Sequence, residues 1–212
     1  MSIGSFVPAR RQTRLWSPAG DVSLLVGAAA MGFSVIYLVS DLMELAQGGF
    51  STPQLALTYI AEAAIPLFVL GLYAVQRPRI GSLGLIGALT YAYTFVFFTS
   101  TVVYALVDHT EDWDALTLQF GAWITVHSAL MVAAGLLFGA AVIRAKVLPP
   151  WTGALLMFAM LLMIGATVLP AVAQTAAAAT RDIAFACMGA SLVRVGRRRR
   201  ARGDEQQEEA RS

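Results

Sequence analysis

Four side chains in this sequence could do chemistry where chemistry is hard. Glu62, His127, Arg181 and Asp182 all fall inside long apolar runs. Counted back from the basic residues that close those runs, Glu62 stands fifteen residues before Arg77, His127 seventeen before Arg144, and Arg181 thirteen before Arg194. At about 1.5 Å per helical residue these positions lie within roughly one turn of a common depth. Ionisable groups are rare in membrane spans and normally face the bundle interior and one another. The spacing therefore predicts one polar cluster carried by three helices. Arg181 and Asp182 are adjacent and point about 100° apart, so each is expected to find its partner on another helix. Arg181 with Glu62 and Asp182 with His127 is one arrangement; Arg181 between both carboxylates, with His127 a neutral hydrogen-bonding residue, is the other. Both leave a net negative site when His127 is neutral, which makes it a candidate for protonation. The same four groups would also serve a purely structural network that fixes helix register.

Two further features surround this set. Pro66 follows Glu62 by four residues and lacks an N–H, so the Glu62 carbonyl loses its usual helical partner. Asp41 and Glu44 share a helix face one run earlier, and with Tyr59 they form a candidate outer mouth to the deeper cluster. A solvated helix end is the favoured account of the two acids, and the acidic mouth is the alternative. Tyr59, Tyr91, Tyr93, Tyr104 and Met131 are expected to pack rather than to bind.

The elements that must position these residues follow from composition. The chain has 212 residues, of which 58% are hydrophobic and 13% charged. A soluble domain is nearer 45–50% apolar and about 25% charged, so the excess points to several membrane spans. Apolar segments at 22–45, 53–75, 81–107, 117–143, 151–173 and 175–194 predict an all-α bundle of six transmembrane helices. Residues 1–21 read as a basic cytoplasmic arm, 22–194 as the membrane domain and 195–212 as a disordered cytoplasmic tail. The first apolar run is long and ends without a small-x-small site, so a retained span is expected rather than a cleaved signal.

Basic residues lie before the first segment, at Arg77 and Arg79, at Arg144 and Lys146, and behind the last segment, whereas the other connections carry none. Positive-inside bias thus alternates with every crossing and places both termini in the cytoplasm. The last segment is Ala-rich and contains Arg181 and Asp182, each costing about 2.5–3.5 kcal/mol at a helix centre, so it is expected to insert on partners already in place. Arg197–Arg200 marks topology and contact with anionic lipid rather than nucleic acid. Similar turns, VQRPRIGSLGLIGAL and VIRAKVLPPWTGALLMF with a looser copy before the first span, raise the expectation of three parallel helical-hairpin repeats.

Several chemistries are excluded. One cysteine, Cys187, rules out an internal disulfide, a CxxC pair and a thiolate zinc site. Only His109 and His127 are present, and His109 lies in the acidic loop, so a bis-histidine haem within one chain is not expected. No HExxH, P-loop or serine-elbow sequence occurs. No cofactor and no metal are expected.

The stretch SDLMELAQGGFSTPQLALTYIAEAAIPLFVLGLYAVQRPRIGSLGLIGALTYAYTF, with VIRAKVLPPWTG and RDIAFACMGASLV, resembles uncharacterised multi-pass membrane proteins of high-GC Gram-positive bacteria. The resemblance implies a helical bundle in the bacterial plasma membrane and brings no activity with it. Expected partners are the lipid bilayer and a small amphiphilic ligand or another membrane protein. The leading expectation is a binding or transport component, proton-coupled or specific for a small molecule, with a polar pocket in the membrane. The alternatives are an architectural or accessory subunit and an intramembrane enzyme using a carboxylate–histidine pair.

Overall fold

Hydrocarbon cannot accept hydrogen bonds, so a chain this apolar must satisfy its backbone within each segment, and it does so as helix. The computed structural model describes residues 18–166 and 169–209, with side chains from 21 to 166 and 169 to 198. The basic arm before residue 18 lies outside them. Seven helices follow in order: α1 Pro18–Gln47, α2 Thr52–Val75, α3 Gly81–Asp108, α4 Trp113–Phe120, α5 Ala122–Ala145, α6 Pro150–Ala166 and α7 Ala171–Glu209. Among the described residues there is no strand.

Local sequence sets most of the boundaries. Ser51 is extended before α2 and Pro53 sits in the first turn, where a missing N–H costs nothing. The Asp112 carboxylate caps α4 by accepting from the Ala115 N–H at 2.8 Å. His109 and Lys146 end α3 and α5 in the left-handed conformation, at φ 54° and 50°. α2 continues through Pro66 without interruption.

The fourth expected span, 117–143, is not one helix. Gly121 adopts φ 52° and ψ −123°, a region closed to residues with a Cβ, and separates α4 from α5. α4 is a short amphipathic turn of helix whose Leu116 is buried while Leu118 is 85% exposed. α7 runs beyond residue 194 to Glu209, so the stretch read as a disordered tail is helical as far as the described residues extend. Among the described residues five helices are long and apolar enough to cross a membrane, and α6 is apolar but has 17 residues.

These helices form a closed ring. α1 packs between α2 and α7, α3 between α2 and α5, and α6 between α5 and α7. Each of these six helices packs on both its neighbours in the ring. Its core is filled by Phe68, Tyr91, Phe95, Phe138, Met160 and Phe185, contributed by five of the helices. A smaller group, Leu55, Val102, Ala105, Leu116 and Ile124, lies beneath α4. The loops Gly48–Ser51 and His109–Asp112 share one end, joined by the Phe50 N–H donating to the Glu111 carbonyl at 2.7 Å. We call this the acidic end. The opposite, basic end carries Arg77, Arg79 and Lys146.

Candidate functional site

Three of the four residues expected to cluster are brought together, and the fourth is not. Glu62 on α2 and Arg181 and Asp182 on α7 are buried, at 4%, 3% and 3% exposure. α1 lies between their two helices and completes the group with Tyr37 and Asp41. The Tyr37 hydroxyl donates to Glu62 Oε1 at 2.7 Å. The Arg181 guanidinium sits 4.5 Å over the Tyr37 ring and 5.7 Å from the Phe95 ring centre, a cation–π arrangement strengthened by exclusion of water.

The expected pairing is corrected. Arg181 does not bond Glu62; its Nε donates to Asp182 Oδ1 at 2.9 Å, the adjacent residue. Adjacent Cβ atoms diverge, but the long Arg181 side chain folds back along the helix to reach its neighbour. In a desolvated interior the nearest carboxylate dominates. Glu62 remains within electrostatic reach of Arg181 without touching it.

His127 stands apart, in the α3–α5 contact. Its Nδ1 bonds the Trp123 carbonyl at 2.8 Å and its Nε2 meets the Tyr93 hydroxyl at 3.3 Å. The imidazole stacks on Phe97 at 3.7 Å between ring centres. It shares no hydrogen bond or ion pair with Glu62, Arg181 or Asp182. Expected depth alone grouped it with them; α5 packs against α3 and α6 rather than α1, α2 or α7.

The outer-mouth residues divide as well. Asp41 belongs to the cluster, interacting electrostatically with Asp182, Arg181, Glu44 and Glu62. Glu44 lies one turn further toward the acidic end and accepts from Gln54 Nε2 at 3.4 Å. Tyr59 is 42% exposed on the outside of α2 and makes none of these contacts.

A polar seam that the sequence reading missed runs from Glu44 toward this cluster. Gln54, Thr58 and Glu62 fall at four-residue intervals on α2, and Tyr37, Ser40, Asp41 and Glu44 occupy the facing side of α1. Gln54 Nε2 donates to Thr58 Oγ1 at 3.0 Å and to Ser40 Oγ at 3.2 Å. Ser40 and Thr58 share a short hydroxyl contact, and Ser40 also donates to the Gln54 carbonyl at 3.0 Å. The four-residue period was the available signal; uncharged Gln and Thr do not stand out in an apolar run.

The cluster is incompletely satisfied by its own side chains. Asp41 Oδ2, Glu62 Oε2, Asp182 Oδ2, Tyr91 Oη and Arg181 Nη2 are buried without a hydrogen-bond partner. Three carboxylates face one guanidinium, which leaves two negative charges uncompensated by protein. Among the described residues no group of His, Cys, Asp and Glu has the arrangement of a metal site. A separate cavity of about 310 Å³ opens at the acidic end, lined by Phe50, Leu55, Leu106, His109 and Glu111 among others, and none of the cluster residues borders it.

Compared with protein-family models, curated proteins and solved structures, the chain matches none. The functional reading therefore rests on these side chains alone.

Proposed function

We propose that this chain is a six-crossing protein of the bacterial plasma membrane whose α1–α2–α7 cluster takes up protons in the course of binding or moving a small solute. The supporting observation is the set of five buried, unpartnered polar atoms around an acidic excess. Buried polar groups are normally satisfied, and an uncompensated charge in hydrocarbon is costly. Protons, water or a small cationic group would complete the site.

α6, at 17 residues, spans about 25 Å and serves as the sixth crossing near the short limit of such helices. Segregation of Arg77, Arg79, Arg144 and Lys146 to one end supports a cytoplasmic assignment for that end and for both termini. After replacement of Cys187, a single cysteine at Asp112 is expected to react with an impermeant maleimide from outside intact cells. One at Arg79 is expected to react only after permeabilisation. Reversed labelling would invert the assignment.

An architectural role is the second reading, favoured by the hydrogen-bonded Gln54–Ser40–Thr58 seam, which would pin α1 against α2. An enzyme built on Glu62 and His127 has little support, because His127 is already engaged by Trp123 and Tyr93. The deciding experiment counts protons taken up by the purified chain in lipid nanodiscs as the buffer is acidified. Wild type is expected to take up at least one proton more than Glu62→Gln. Equal uptake would leave only the architectural role.

A further inference from the structure

The seam between α1 and α2 has an unusual hydrogen-bond economy. The Gln54 side-chain NH₂ has two hydrogens, yet three acceptors surround it: Thr58 Oγ1, Ser40 Oγ and Glu44 Oε2, at 3.0, 3.2 and 3.4 Å. At any instant one acceptor goes without. The Ser40 and Thr58 hydroxyls contact each other in a geometry that lets either donate, and each has the Gln54 carbonyl as a second acceptor. The seam therefore has several hydrogen-bond arrangements of similar energy. A network built only to fix register would be expected to have one.

This seam also has direction. It begins at Glu44, half-buried near the acidic end, passes the fully buried Ser40 and Gln54 (0% and 1% exposed), and stops one turn short of Glu62. There the Tyr37 hydroxyl occupies Glu62 Oε1 and leaves Oε2 unpartnered. The charged and titratable groups that interact with Glu62 are Tyr37 and Asp41 from α1 and Arg181 from α7; Asp182 and Tyr91 flank Arg181, and Glu44 flanks Asp41.

We propose that the α1–α2 seam is the proton path between the acidic end and the buried cluster. The inference rests on the proton-binding role of that cluster and adds its route of access. A proton enters on the Glu44 carboxylate, and that carboxylate then passes a proton to the Ser40–Thr58 pair. Each hydroxyl accepts one proton and releases its own, and the last proton lands on Glu62 Oε2. Glu44 and Ser40, and Thr58 and Glu62, are each one helical turn apart, about 5–6 Å between Cβ atoms, and a bridging water in each gap would complete the path. Gln54 carries no proton; its amide holds the hydroxyl oxygens in line.

Stopped-flow acidification of nanodiscs holding the full chain, with an external pH dye, separates route from destination. Thr58→Val combined with Ser40→Ala is expected to slow proton uptake at least tenfold while leaving the number of protons unchanged. Thr58→Ser, which keeps the hydroxyl, is expected to restore most of the rate, so a loss through misfolding is distinguishable. Unchanged kinetics in the double variant, with Glu62→Gln still lowering the number of protons taken up, would overturn the path and leave the proton-binding role standing. If Glu62→Gln also leaves uptake unchanged, both the path and the role fall.

Discussion

The two sides of the ring solve opposite problems. α1, α2 and α7 enclose three carboxylates, a guanidinium and a hydrogen-bonded seam, whereas α3, α5 and α6 meet through aromatic rings and glycines. In the second half, a Cβ added at Gly139 would lie 2.7 Å from the Gly153 carbonyl oxygen, and one at Gly87 would lie 2.7 Å from the Phe138 backbone nitrogen. Such close approach gains dispersion between backbones, the main attraction available when lipid is as apolar as the helices. α1 and α7 use both devices along one contact: Gly27 against Gly189 toward the basic end, and charge toward the acidic end. Close packing holds the helices together without needing function to explain it. The incompletely paired charges are tolerated only because the surrounding packing is good.

The contrast can be broken most sharply at Arg181. Replacing it by Met strands Asp41, Glu62 and Asp182 without a cation, with an expected loss of about 3–5 kcal/mol in a reversible unfolding assay in detergent or bicelles. Adding Asp182→Leu should recover part of that loss, since removing both partners costs less than removing one; a further loss would mean the pair is not the source of the effect. On the glycine side, Gly139→Val drives a side chain into the Gly153 carbonyl and is expected to cost about 1–3 kcal/mol, with proton uptake per folded molecule unchanged. A smaller effect is expected at Tyr37. A cycle of Tyr37→Phe and Glu62→Gln should show coupling of about 0.6–2 kcal/mol, and additive losses would argue against the 2.7 Å hydrogen bond. The smallest belongs to His127. Its Nδ1 bonds a carbonyl of its own helix, so His127→Phe should change stability by less than about 1 kcal/mol and leave proton uptake intact. A loss of uptake would return His127 to the cluster.

Much of the architecture was legible because hydrocarbon imposes simple rules. The apolar runs located α1, α2 and α3 within four residues at each end and α5 within five, since every backbone group in a span must be bonded internally, whereas α7 continues well past the expected end at 194. The short α4 was merged into its neighbour because hydropathy averages over a single Gly, and the positive φ of Gly121 is a property of the turn. Within the site, depth could be counted from the chain while rotation could not. Glu62, Arg181 and Asp182 were found because charge in an apolar run is conspicuous; Ser40, Gln54 and Thr58 were passed over because neutral polar residues are not.

What the sequence determined by itself is therefore the long apolar helices and the position of the ionisable groups along them, because 1.5 Å of rise per residue converts sequence separation directly into distance along a helix. Tertiary structure decided which groups meet. The closure of α7 onto α1 set Arg181 over Tyr37 and Asp41 near Asp182, while the turn of α5 carried His127 toward Phe97 and Tyr93. The physical reason is that each residue advances the helix by about 100°, so a small rotation set by distant packing reassigns every side chain to a new face.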